Sequence, residues 1–192
     1  MTTNDQTAAM VPDNYSGKHI LIIGSGEDLD SRRMMDEIDK SDKWDLVVRI
    51  NKMYGRPECV GTRTDIIVTR WNQWVKPGSR FFQQEIIDQA QKIVILNQSI
   101  EFSETEKLLL SQEIGVKHVS AGPQAIAYFL NRGCEKIDLI GFGYLKGQFM
   151  QTKRYCDNAH NYSTRMVDKN ALYDWEKERA WMTMQPQVYF IE

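Results

Sequence analysis

Residues 116–144 read VKHVSAGPQAIAYFLNRGCEKIDLIGFGY. Two apolar runs, VKHV at 116–119 and IDLI at 137–140, flank a helical spacing of Ala125, Ile126, Phe129 and Leu130. Short apolar runs predict strands, and the spacing of three and four predicts a helix between them. Ser120-Ala121-Gly122 stands where the first run meets the helix. Gly141-Phe142-Gly143, followed by Tyr144, ends the second run. The expectation is a β-α-β unit with small-residue turns at both strand exits. Open α/β sheets bind ligands at such exits.

The pattern continues upstream. KHILII at 18–23 reads as a buried strand stopped by Gly24. Gly24-Ser25-Gly26-Glu27-Asp28 forms a tight turn, capped by Asp28 or Asp30 as it enters a helix. Leu29, Met34, Met35 and Ile38 are that helix's expected inner face. LVVRI at 46–50 is a second strand and runs into Asn51-Lys52. Val60-Gly61-Thr62-Arg63 is a turn before a third strand, TDIIVT at 64–69. A loop with Trp71 and Trp74 leads to a helix at 81–91 and a strand, KIVIL, at 92–96. Ser103 with Glu106 three residues on is a capping-box pattern, opening a helix at 104–113 that stops at Gly115.

Downstream of Tyr144, residues 145–168 are polar, basic and irregular. A loop of that length inside a domain is a functional candidate. Residues 170–182 read as a charged helix, and QVYFI at 187–191 as an edge strand. Residues 1–16 read as a loose N-terminal arm and residues 17–192 as one domain. Strands alternating with helices predict an α/β class: a single Rossmann-like domain with a mainly parallel sheet and helices on both faces.

The totals weigh against several classes. A net charge of −2 gives no basic field for nucleic acid or an anionic membrane. No apolar run approaches the roughly 18 residues of a spanning helix, and the polar start MTTNDQTAAM is no signal peptide. A cytoplasmic protein without a membrane partner is expected. Cys59, Cys134 and Cys156 match no metal spacing, and an odd number argues against a disulfide framework.

The strand-exit loops carry the candidate chemistry. Small residues at a helix start let backbone N–H groups approach an anion, aided by the helix dipole. The turns around Ser25 and around Ala121-Gly122 both qualify. A nicotinamide fingerprint is incomplete: Leu29 stands at the third glycine position, and the second strand ends in Asn51 rather than an acid. Asn51 offers a donor and an acceptor to a base or ribose, or else satisfies its own turn. His160, in a polar segment, is a candidate general base or phosphate partner, or else a solvated loop residue. Lys153, Arg154 and Arg165 are candidates to face an anion. His19 and His118 fall in strands, where packed or hydrogen-bonded roles are expected. Trp71 and Trp74 stack on a ligand ring or pack on the sheet. Asp174, Glu176 and Glu178 read as a solvated helix face, with Glu178 the one to watch.

Taken together, these segments resemble the sialyltransferase family of glycosyltransferases, over most of residues 18–182. The family's apolar strand and Gly-Asn-Ser turn look like Ile22-Ile23-Gly24-Ser25-Gly26. Its Val-Leu-Arg-Met-Asn-Lys segment is similar to Val47-Val48-Arg49-Ile50-Asn51-Lys52. Its Val-Gly-Ser/Thr-Lys/Arg-Thr segment is similar to Val60-Gly61-Thr62-Arg63-Thr64. Its small motif resembles Ser120-Ala121-Gly122 together with the stretch from Cys134 to Gly143.

The resemblance implies a variant of the GT-A-type glycosyltransferase fold. It also implies a soluble inverting enzyme that moves an acidic sugar from a CMP-sugar donor to a hydroxyl acceptor, such as a glycan, without a metal or other cofactor. Donor-binding residues carried over by position are Gly24, Ser25, Gly26, Asn51, Ser120, Ala121, Gly122, Gly141, Phe142, Gly143 and Tyr144. The family's small-motif cysteine is Cys134, but its partner position is Ile20, so the disulfide cannot form. The third motif looks like His160-Asn161-Tyr162, and the last, His-x4-Glu, like Tyr173 through Glu178. The base position is then Tyr173, whose phenol, with a pKa near about 10, is a poor base at neutral pH. His160 and Tyr173 are the catalytic candidates. Two other readings follow: a CMP- or nucleotide-binding protein that has lost transfer, and a transferase with a different sugar and a nucleic-acid base as acceptor.

Overall fold

The computed structural model describes residues 14–24, 29, 33–51, 57–70, 75–77, 84–97, 102–142 and 174–191. Within them, six strands form one sheet: β1 (His19–Ile23), β2 (Leu46–Ile50), β3 (Ile66–Thr69), β4 (Lys92–Ile95), β5 (Lys136–Ile140) and β6 (Val188–Phe190). Their order is β4-β3-β2-β1-β5-β6, and every pairing is parallel. The helices are α1 (Met35–Lys40), α2 (Pro57–Val60), α3 (Gln84–Gln89), α4 (Glu104–Ile114), α5 (Ala121–Leu130) and α6 (Trp175–Met184).

The central strands are nearly continuous β-branched and leucine runs because both faces are covered. Ile20, Ile22, Val48, Ile66 and Leu139 point to one face and pack with α4, α5 and α6. Leu21, Ile23, Val47 and Ile140 point to the other, with Ile38 of α1 and Val60 of α2. This confirms the α/β class with helices on both faces. Tyr15, which the sequence reading leaves in the arm, is 1% exposed and packs edge-on against Phe129, ring centroids 4.9 Å apart.

From β1 the chain steps outward through β2 and β3 to β4. Helices α4 and α5 then return it to β5, on the other side of β1. The strand order therefore switches direction between β1 and β5, and the crevice beyond their carboxyl ends is where such sheets take ligands.

The capping box is present in both halves. Glu106 N–H donates to Ser103 Oγ at 3.2 Å, and Ser103 N–H donates to Glu106 Oε2 at 2.8 Å. Gly115 ends α4 in the left-handed region, at φ +73°.

The expected strand at 116–119 is absent: that segment is an irregular link between α4 and α5. Val116 and Val119 are three residues apart, which would send them to opposite faces of a strand. In the link both pack on the same core, while Lys117 and His118 are exposed. His118 is thus not a strand residue, and Ser120 marks a helix start rather than a strand exit. Helix α1 begins only after Met34, and Met35, expected on its inner face, is 38% exposed. His19 does take the hydrogen-bonded role: its Nε2 lies 2.8 Å from Asp138 Oδ2, which also accepts from Trp44 Nε1 at 2.8 Å.

Candidate functional site

At the switch point, Gly24 N–H donates to Ile140 O at 2.8 Å. A Cβ on Gly24 would lie 3.0 Å from the carbonyl carbon of Gly141 and closer still to its oxygen. Gly141 has φ +72°, and a Cβ there would stand 3.0 Å from both Gly24 and the Leu29 methyl groups. The two glycines are therefore required by each other's backbone. Leu29, at the third glycine position of a dinucleotide fingerprint, fills the space beneath them and is fully buried. Phe142 is 4% exposed and joins the α5-side core. Ser25, Gly26, Gly143 and Tyr144 lie outside the described residues.

One strand over, Asn51 ends β2 at φ +60°, a left-handed conformation that asparagine tolerates better than other side chains. Its N–H donates to Val68 O at 2.7 Å, and its Oδ1 accepts from Arg70 N–H at 3.3 Å. Asn51 thus ties the exits of β2 and β3 together. Among the described residues its Nδ2 has no acceptor. The turn role is the one observed: one end of the amide serves the turn, and no described residue engages the other.

Helix α5 starts at the same edge. Ser120 is its N-cap, yet the Ser120 hydroxyl makes no cap hydrogen bond. It donates instead to Glu178 Oε2 at 2.7 Å, and Ser120 N–H donates to Glu178 Oε1 at 2.6 Å. Pro123 has no N–H, so the amides of Ala121 and Gly122 are the helix's open donors. Neither has an acceptor among the described residues, which leaves an anion-compatible helix start.

Glu178 is wholly buried. Burial pushes its carboxyl up to about 7, against the Ser120 hydrogen bonds and the Arg70 charge. The expected solvated acidic face is therefore corrected at this position. Helix α6, N-capped by Asp174 through Lys177 N–H at 3.2 Å, buries Glu178, Trp181 and Met182 on one face. That spacing of three and four was the signal available in the sequence.

The Val60-Gly61-Thr62-Arg63-Thr64 segment has a structural explanation. Arg49, 2% exposed, donates to Thr64 Oγ1 at 2.9 Å and to the carbonyls of Val60 and Gly61 at 3.0 and 2.8 Å. Asp39 Oδ1 accepts from the N–H groups of Thr62 and Arg63 at 2.9 and 2.8 Å. Burial lowers the Arg49 guanidinium to about 10, still cationic at neutral pH. Cys134 and Ile20 are both buried, and burial raises the Cys134 thiol to about 12.

Beside the α5 start, a cleft of about 550 Å³ opens between α4 and the ends of β3 and β4. The catalytic candidates His160 and Tyr173 lie outside the described residues, as do Trp71, Trp74, Lys153, Arg154 and Arg165. Among the described residues, no helix is long and apolar enough to cross a membrane.

No protein-family model matches the chain, and no curated protein matches it in sequence. Solved structures do match. A mammalian sialyltransferase in complex with Gal-beta-1-3GalNAc-ortho-nitrophenol overlays with a TM-score of 0.57 at 14% identity, over 91% of this chain and 69% of that one. A second mammalian sialyltransferase structure gives the same TM-score and coverage at 16% identity. An alpha-2,3-sialyltransferase from Campylobacter jejuni in apo form overlays at 0.44, with 14% identity, over 93% of this chain and 78% of that one. The order of the six parallel strands and the overlays on the two mammalian structures agree: this chain has a sialyltransferase-like fold.

Proposed function

We propose that the protein is a metal-independent inverting glycosyltransferase that moves an acidic sugar from a CMP-sugar to an acceptor hydroxyl. One observation carries the reading. Gly24, Asn51, Ser120-Ala121-Gly122 and Gly141, which resemble the family's donor motifs, are scattered over the sequence but stand along the carboxyl edge of one sialyltransferase-like sheet. The open amides of Ala121 and Gly122 suit a departing phosphate, and one phosphate needs less neutralisation than two. The open Nδ2 of Asn51 suits a ribose or base acceptor atom. Glu178, with both oxygens held by Ser120, acts as a positioning residue for that helix start.

Transfer is an in-line displacement at the anomeric carbon. A base takes the acceptor hydroxyl proton as the C–O bond to the phosphate breaks and CMP leaves. His160 is assigned as that base, because Tyr173 holds the position where the family has histidine. Calorimetry with CMP, UDP and NAD tests the donor class: preference for CMP is expected, and a clear preference for UDP or NAD overturns it.

A second reading follows from the same Tyr173: a nucleotide-binding protein that has lost transfer. CMP binding without donor hydrolysis or transfer, against a broad acceptor panel, selects it.

A further inference from the structure

The cleft beside α5 has features that the donor-side residues do not use. It is lined by Lys107 and Leu108 of α4, by Arg70 past β3, by Lys117 and His118 of the link, and by Gln124 of α5. Its volume, about 550 Å³, is within the range of small-molecule sites.

Gln124 is 5% exposed, and its Nε2 donates to Val119 O at 2.7 Å. That bond orients the amide. Its Oε1 is then buried with no donor among the described residues. A buried acceptor left unpaired is costly, and a ligand hydroxyl at the cleft wall would relieve it.

The cleft's charge is uneven. Its lining has three cationic side chains, Arg70, Lys107 and Lys117, and one carboxylate, Glu104. Glu104 is held by Lys107, Oε1 to Nζ at 2.6 Å. The Glu178 carboxylate feels Arg70 from beyond the lining. Lys117 is exposed and makes no ion pair among the described residues, and His118 stands exposed beside it. Leu108, 56% exposed, supplies an apolar surface of the kind a sugar ring's C–H face covers.

We propose that this cleft binds a hydroxylated anion, a sugar bearing a phosphate or carboxylate: a hydroxyl donates to Gln124 Oε1 and the anion meets Lys117 and Arg70. Val119 and Gln124 flank Ser120-Ala121-Gly122, so the cleft adjoins the edge assigned to the donor. Its role as the acceptor pocket, with an anionic acceptor, rests on the transferase reading; the binding itself does not.

The full chain, titrated by calorimetry with glucose 6-phosphate and with glucuronate, tests it, with glucose and inorganic phosphate as controls and each run repeated with saturating CMP. At least one anionic sugar is expected to bind, and both controls to bind about tenfold more weakly or worse, the loss of one charge-assisted contact. Lys117→Glu, at an exposed position, is expected to weaken the anionic sugar by about tenfold or more while CMP affinity stays unchanged. Gln124→Met is expected to weaken it too, and amide NMR spectra confirm that the variant is folded. Failure of both anionic sugars to bind, equal affinity for glucose and glucose 6-phosphate, or indifference to Lys117→Glu each overturns the proposal. Anionic-sugar binding in a protein that does not bind CMP overturns the donor reading instead and leaves this one standing.

Discussion

Glu178 accepts two hydrogen bonds from Ser120, one from the backbone N–H and one from the hydroxyl, across 58 residues of sequence. The pair pins the last helix to the start of α5. The Ser120 hydroxyl turns to Glu178 instead of capping, so the Gly122 amide it could have met has no acceptor among the described residues.

The pair makes stability pH-dependent. The Glu178 carboxyl sits at about 7 in the folded protein against an ordinary value of 4.5. Between those values the folded state holds more proton than the unfolded, so stability falls as pH rises through the window. The loss is on the order of 3 kcal/mol. Glu178→Gln should flatten the dependence, because the Gln oxygen accepts from Ser120 N–H and the serine hydroxyl can turn to accept from its amide. Urea midpoints at pH 5, 6, 7 and 8 check this; parallel curves for the two proteins would contradict it. Glu178→Ala leaves both Ser120 donors unpaired and removes the titrating group, so it should cost about 2–4 kcal/mol at pH 5 and progressively less as pH rises to 8.

Gly24→Ala and Gly141→Ala should each destabilise by roughly 2 kcal/mol or more, since the new methyl meets backbone in the first case and a positive φ plus Leu29 in the second. Denaturant unfolding reads both. Wild-type stability in either variant would mean that the strands can separate at the switch point without cost.

Asn51 separates fold from ligand. Asn51→Gly keeps the φ of +60° accessible and should be nearly as stable as wild type, whereas Asn51→Ala should lose about 1 kcal/mol more. Under the proposed function both lose CMP affinity by about tenfold or more, because both lack the open amide. Unchanged CMP binding by Asn51→Gly confines Asn51 to the turn.

Arg49→Lys should cost about 2–4 kcal/mol, because an ammonium cannot reproduce the fork that reaches Thr64, Val60 and Gly61 together. Thermal melting is the measurement. A loss of CMP binding without a loss of stability would instead make this segment part of the ligand site.

His160→Ala should abolish transfer and leave CMP affinity near wild type, as measured by single-turnover kinetics and calorimetry. Unchanged turnover moves the base to Tyr173 or to a carboxylate.

Periodicity made most of the sheet legible. Each central strand is a short run of branched aliphatic residues, and burial on both faces is what writes such a run. The α4 boundaries were equally plain, because Ser103, Glu106 and Gly115 act through their own backbone neighbours. The misread stretch, 116–119, was short enough that two valines looked like a strand when they were anchoring a link.

Local chemistry written in neighbouring residues was therefore readable from the sequence: the α/β class, the caps, and the small residues at the sheet edge. Relations between distant residues were decided by the tertiary structure. That Gly24 and Gly141 must both be glycine shows only when the two strands are set side by side, each backbone occupying the other's Cβ position. Glu178 looks solvated until α6 turns it, with Trp181 and Met182, into the core and onto Ser120. The spacing of Glu178, Trp181 and Met182 marks a buried face, but which distant residue each buried group meets depends on packing, and no local pattern names that partner.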